Sequence, residues 1–178
     1  MVEVLRRLHR LGESQGPALE ARLKHMQRLG FPRKRGLGRG RRATYAFDEI
    51  LKVATAFQLI ETGMASALAV AMVANDWGLI SQALARGLSA DAPLVVFCPQ
   101  AFQASDGVDP PGAAGLGTTR LQERNASIVG AGNLLSTTRV VLDPLAMVTA
   151  VRRAVIGLPG IPGDEFDGEL RLLVEGTV

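Results

Sequence analysis

Between Pro32 and the Phe47 region the chain has almost nothing to bury. Residues 33–45, RKRGLGRGRRATY, hold six cations (Arg33, Lys34, Arg35, Arg39, Arg41, Arg42), three glycines and no acid. Lys and Arg are seldom fully buried without a partner, so a hydrophobic core has to be assembled from the sequence on either side. The charge around this stretch is just as uneven. Residues 1–45 contain 12 Lys/Arg against Glu3, Glu13 and Glu20, a balance of +9; residues 46–178 hold the other 8 cations and 14 acids, a balance of −6, and together these give the net +3. Such asymmetry points to a polyanion-facing module joined to a module with a different task.

The flanking sequence supplies the core material as helical stripes. Residues 2–11 place Val2, Leu5, Leu8 and His9 on one face and Arg6, Arg7 and Arg10 on another. After the turn GESQGP, residues 17–29 carry Leu19, Leu23, Met26 and Leu29 at spacings of four, three and three, which predicts a helix begun by Pro17 and closed by Gly30 and Pro32. Arg22, Lys24, His25 and Arg28 fall mostly off that stripe. Glycines 36, 38 and 40 suit a hairpin tip, with RATYAF (42–47) as the return strand. Asp48 then starts a third helix bearing Ile50, Val53, Ala54, Phe57 and Ile60, closed by Gly63. A fourth runs from Ala65 to Asn75 and a fifth spans 77–88, with Trp77 packing where the fourth ends. Beyond residue 90 the pattern changes. APLVVFCP (92–99), NASIVGAG (125–132) and TTRVVL (from residue 137, with its strand reading over 138–142) are strand candidates, 105–119 is a Gly/Pro-rich loop, and Asp143 with Pro144 opens a further helix. The acid-rich tail, GDEFDGEL and onward, reads as solvated surface. The division expected is a first domain over 1–75 and a second over 90–178.

A basic helix followed by a basic, glycine-tipped hairpin is the layout of a winged helix-turn-helix. The helix can present side chains to base edges in the major groove, and the hairpin can meet flanking phosphates. At this point the sequence resembles a known family. LEARLKHMQRLGFP, the basic stretch ending in RRATY, and FDEILKVATAFQLIETGMASALAVAMV together look like the DNA-binding domain of MerR-type regulators over residues 17–73. Tyr45, Glu49, Ile50, Phe57, Ile60, Gly63 and Ser66 fit that framework. The resemblance implies an N-terminal winged helix-turn-helix; with the strand and helix candidates beyond residue 90, the expected fold is α+β, that domain followed by a small α/β C-terminal domain for dimerisation or sensing. The resemblance puts Arg22, Lys24, His25 and Arg28 on the DNA-facing side of a recognition helix. Arg39, Arg41 and Arg42 become wing contacts, with Arg33, Lys34 and Arg35 as further cations of the wing, and Tyr45 becomes a phosphate contact or a wing anchor.

The expectation that follows is a bacterial transcriptional regulator that binds double-stranded DNA sequence-specifically. It would act as a homodimer, because one small winged domain covers limited DNA, and RNA polymerase would be a further partner. An architectural or phage-type packaging DNA-binder without a sensing role is the alternative. Enzymatic chemistry and cofactors are not expected. His9 and His25 sit among arginines, GLGTT (115–119) and GAGN (130–133) complete neither a dinucleotide fingerprint nor a P-loop, and the single Cys98 excludes an internal disulfide and a cysteine zinc site. The start lacks an apolar signal-peptide core, and the longest apolar run, residues 64–74, is too short to span a bilayer, so a cytoplasmic protein without membrane contact is expected.

Overall fold

Three helix ends near the N-terminus are built in the same way, and they set the path of the chain. Helix α1 (Val2–Leu8) ends with Arg10 at φ 52°, α2 (Gly16–Arg28) with Gly30 at φ 77°, and α3 (Phe47–Glu61) with Gly63 at φ 91°. In each case the left-handed residue donates its N–H three residues back, and the next residue donates five back: Leu11 to Arg6, Phe31 to Met26, Met64 to Leu59. This pairing satisfies carbonyls that a helix end otherwise leaves open. Glycine adopts that φ without strain at the ends of α2 and α3. In α1 an arginine takes it.

The computed structural model describes residues 1–32, 45–89, 91–98, 118–123, 139–156, 158 and 163–175. Within them the protein is α+β and mostly helical. After α3 come α4 (Ser66–Asn75) and α5 (Trp77–Ala85), bent by 75° across one residue, then strand β1 (Leu94–Cys98). Strands β2 (Thr118–Gln122) and β3 (Val140–Leu142) follow, and then helices α6 (Pro144–Ile156) and α7 (Gly163–Glu175). The sheet order is β2-β1-β3 with both pairings antiparallel; Val95 sits opposite Leu121 and Leu142, and Phe97 opposite Thr119 and Val140. Central β1 buries Val95, Val96 and Phe97 in succession, which explains its unbroken apolar sequence: neither of its faces meets water.

A single apolar cluster runs from Val4 and Leu5 of α1 to Phe166 and Leu170 of α7, so the regions 1–75 and 90–178 draw on the same core. Helix α1 packs on α2 and on α6, α3 on α4, and α5 on α6, α7 and the sheet. Local capping fixes the starts. Asp143 accepts from the Leu145 N–H at 2.9 Å, with Pro144 in the first helical position, and the Glu49 carboxylate accepts from the Ala46 N–H at 2.9 Å. Gly87 marks a close approach. A Cβ there would lie 2.6 Å from Val148 Cγ2 and 2.8 Å from the Pro144 carbonyl, so only glycine lets the end of α5 meet the start of α6. No single helix among the described residues is long and apolar enough to cross a membrane, and the apolar faces of α4 and α5 are spent inside the core.

The helices expected at 2–11, 17–29, 65–75, 77–88 and from Asp143 are present within a few residues, as are the strands within 92–99 and 138–142. Three expectations need correction. The described residues of the RATYAF return strand, Tyr45 and Ala46, are not strand, and Phe47 is already the first residue of α3, because Glu49 caps the helix there. The loop expected over 105–119 gives way to strand at Thr118. The acidic tail is helix α7: Phe166 and Leu170, four apart, turn inward, and Phe166 meets Phe47 edge-on at 4.9 Å. The strand candidate 125–132, the glycine motifs 115–117 and 130–133, and residues 33–44 lie outside the described residues.

Candidate nucleic-acid interface

Helix α2 sorts its residues by chemistry. Leu19, Leu23 and Met26, at i, i+4 and i+7, are buried, and Arg22, Lys24, His25 and Arg28 are all exposed. The period of 3.6 makes this unavoidable: Lys24 and Arg28, four apart, project almost opposite the buried stripe, with His25 beside them and Arg22 on the flank. His25 and Arg28 also stand in the last turn, where a positive charge complements the helix dipole. Apart from the thinly held pair of Lys24 with Glu20 at 3.4 Å, no ion pair ties these four side chains to any described residue.

The cations of α1 differ. Glu3 accepts from Arg6 Nε and from Arg7 Nε, both at 2.8 Å. The Arg6 guanidinium first, and Arg7 after it, hold the Glu3 carboxyl down to about 2. The positive charge of α1 is therefore partly spent within its own surface, whereas Arg22, His25 and Arg28 of α2 have no ion-pair partner among the described residues. His9 also leaves the basic surface. Its imidazole is 3% exposed, Nδ1 lies 2.8 Å from Glu61 Oε1 on α3, and the ring tilts against Phe57.

Tyr45 is half-buried and tied directly to α2: its hydroxyl oxygen accepts from Gln27 Nε2 at 2.6 Å. The structure thus brings Tyr45 to the helix that carries Arg22, Lys24, His25 and Arg28. Arg33, Lys34, Arg35, Arg39, Arg41 and Arg42 lie outside the described residues. The half-buried polar anchor missed at the level of sequence is Gln27; a neutral side chain on the flank of a basic helix carries no charge signal, and only the contact across 18 residues identifies it.

Among the described residues no group of three His, Cys, Asp or Glu side chains converges to hold a metal ion. Trp77, the first residue of α5, packs beneath Lys52, whose Nζ sits 4.9 Å from the ring centroid while pairing with Asp48 at 2.8 Å. Comparison with protein-family models, with curated proteins and with solved structures found no match.

Proposed function

We propose that the chain is a sequence-specific double-stranded DNA-binding transcriptional regulator of the winged helix-turn-helix kind. In this reading α2 is the reading helix, residues 33–44 form the wing, and Tyr45 anchors it. One observation carries the proposal. Helix α2 buries Leu19, Leu23 and Met26 of its apolar stripe, while Leu29, expected on that stripe, stands past the helix end and is 42% exposed; the helix exposes all four of its basic side chains and leads within a few residues into six more cations. Nine Lys and Arg residues, with His25 beside them and a single acid, Glu20, over residues 16–44 give this part of the sequence the charge content that suits a polyanion. A helix with an exposed polar face of this size also fits the major groove.

The helix order supports the same reading, with α3 and α4 following the basic segment and Gly63 closing α3 at positive φ. A homodimer in the cytoplasm, with RNA polymerase as a further partner, completes it, since two half-sites nearly double the DNA surface read.

Sequencing the genomic fragments that co-purify with the protein tests the proposal. A small set of shared sites is the expected result, and even coverage of the genome would favour an architectural DNA-binder instead. No enrichment of DNA over a neutral control protein would contradict both. Sedimentation of the full chain should give twice the 18.9 kDa mass of the monomer.

A further inference from the structure

Three cations stand on α1 and the turn after it, and they are held differently. Arg6 and Arg7 both donate to Glu3. Arg10 is exposed and has no ion-pair partner among the described residues. Its backbone is also the exception among the helix ends. Arg10 sits at φ 52°, in the position that Gly30 and Gly63 hold at φ 77° and 91°. All three close their helices with the same two hydrogen bonds: Arg10 to Arg7 and Leu11 to Arg6, Gly30 to Gln27 and Phe31 to Met26, Gly63 to Ile60 and Met64 to Leu59.

Left-handed backbone is readily adopted by glycine and strained for a residue with a Cβ. A Cβ at Gly30 or Gly63 would meet nothing within 4 Å, so those two glycines serve the φ and not the space. At residue 10 an arginine takes the same conformation. The helix dipole does not require it, since Arg6 and Arg7 already stand in the last turn of α1. Nor does packing require it, because the neighbours do the anchoring. The His9 imidazole is buried against Phe57, 2.8 Å from Glu61, and Leu11 packs on the core. Arg10 is therefore held on both sides and stands out from a fixed turn. A cation set in this way binds an anion with little ordering cost in the backbone. A strained residue kept at an exposed position points to a role for its side chain.

Resting on the DNA-binding reading above, we infer that Arg10 is a further binding residue and that its guanidinium takes a phosphate of the duplex. Guanidinium suits that ligand because it is always charged and its N–H groups match phosphate oxygens in pairs. The binding residues then include the turn between α1 and α2 as well as the outer face of α2. A phosphate contact adds affinity for every sequence and discriminates between none. Arg6 and Arg7 contribute less, because Glu3 competes for them.

Arg10→Gly, Arg10→Asn and Arg10→Lys in the full chain test this, with Arg153→Ala, an exposed cation of α6, as the control for lost charge alone. Binding to a random-sequence duplex is measured at several salt concentrations, with thermal midpoints alongside. Arg10→Gly should unfold at or above the wild-type midpoint, because glycine relieves the left-handed strain. It should nonetheless bind about fivefold more weakly, with a slope of log K against log salt shallower by about 1. Arg10→Asn, which also tolerates this φ, should bind as weakly as Arg10→Gly. Arg10→Lys keeps the charge, and the charge lost in Arg153→Ala lies away from the contact, so both should stay within about twofold of wild type. Arg10→Gly binding within about twofold of wild type would overturn the inference. So would an equal loss from Arg153→Ala, which would make net charge the cause. A midpoint for Arg10→Gly more than about 4 °C below wild type would also overturn it, by making Arg10 a structural residue. If Arg10→Gly does not fold, Arg10→Asn carries the same affinity test. Arg22→Ala with Arg28→Ala separates the two readings. If that pair weakens binding and Arg10→Gly does not, α2 stands as the interface and the role of Arg10 falls. If the wild-type protein binds no duplex, both fall.

Discussion

Helices α2 and α7 are each 13 residues long, and both are rich in charge and buried along a narrow stripe, yet they use their charge in opposite ways. On α7, Asp167 is gripped by Arg152 of α6 through two bonds of 2.8 Å, so at least one acid serves to seat the helix. On α2, Arg22, His25 and Arg28 have no ion-pair partner among the described residues, and Leu19, Leu23, Met26 and the capped end seat the helix. The comparison predicts that substitutions on α7 act on stability, whereas those on the outer face of α2 act on binding.

The sharpest way to break this contrast is to remove the apolar anchor of α7. Phe166 is 2% exposed and packs on Phe47, so Phe166→Ala should lower unfolding stability by about 3–5 kcal/mol. Chemical denaturation measures this directly, and a loss below about 1 kcal/mol would mean that α7 is only loosely docked. Next in size is Gly87→Ala, which forces a methyl group against Val148 and the Pro144 carbonyl where α5 and α6 support α7. It should cost about 1–3 kcal/mol with no change in DNA affinity at a temperature where the variant is folded.

The same contrast has a pH signature. Arg152 holds the Asp167 carboxyl below its ordinary range, and Arg6 with Arg7 hold Glu3 at about 2. Around pH 4 the unfolded chain binds more protons at both groups than the folded one, so stability should be fully present above the ordinary carboxylate range. It should decline as the pH falls from about 5 toward 2. Both groups are partly open to solvent, so the decline is modest; denaturation midpoints across that range measure it, and Asp167→Asn should flatten the part due to α7. The smallest expected change in stability is that of Arg22→Ala with Arg28→Ala, within about 0.5 kcal/mol of wild type, because neither side chain has a partner among the described residues. That pair should nonetheless weaken duplex binding, and a large loss of stability from it would end the contrast between the two helices.

What the sequence could show follows from this physics. The stripes of α1 to α4 were legible because each repeats at three and four residues and ends in Gly, Pro or a turn. Helix α7 carries a signal of the same kind in Phe166, Leu170 and Leu173, but the tail around them holds five acids, a charge density that reads as solvated surface. Strand β2 was hidden because Thr118 and Thr119 follow a run of Gly and Pro, and nothing local announces that they will pair with Phe97 and Cys98. Contacts between distant segments leave no local pattern at all: α1 on α6, His9 against Glu61, and Gln27 to Tyr45 had to be seen in three dimensions. The exposure of Arg22, Lys24, His25 and Arg28, by contrast, was implied once Leu19, Leu23 and Met26 were assigned to the core.

The claim that these cations are kept for nucleic acid is tested most directly by the salt dependence of duplex binding. The full-length protein is titrated into a duplex at several salt concentrations. About six phosphate contacts per monomer predict that log K falls with log salt at a slope of about −5, and Arg22→Ala with Arg28→Ala should make the slope shallower by up to about 2. A slope near zero, or no binding at low salt, would contradict the account.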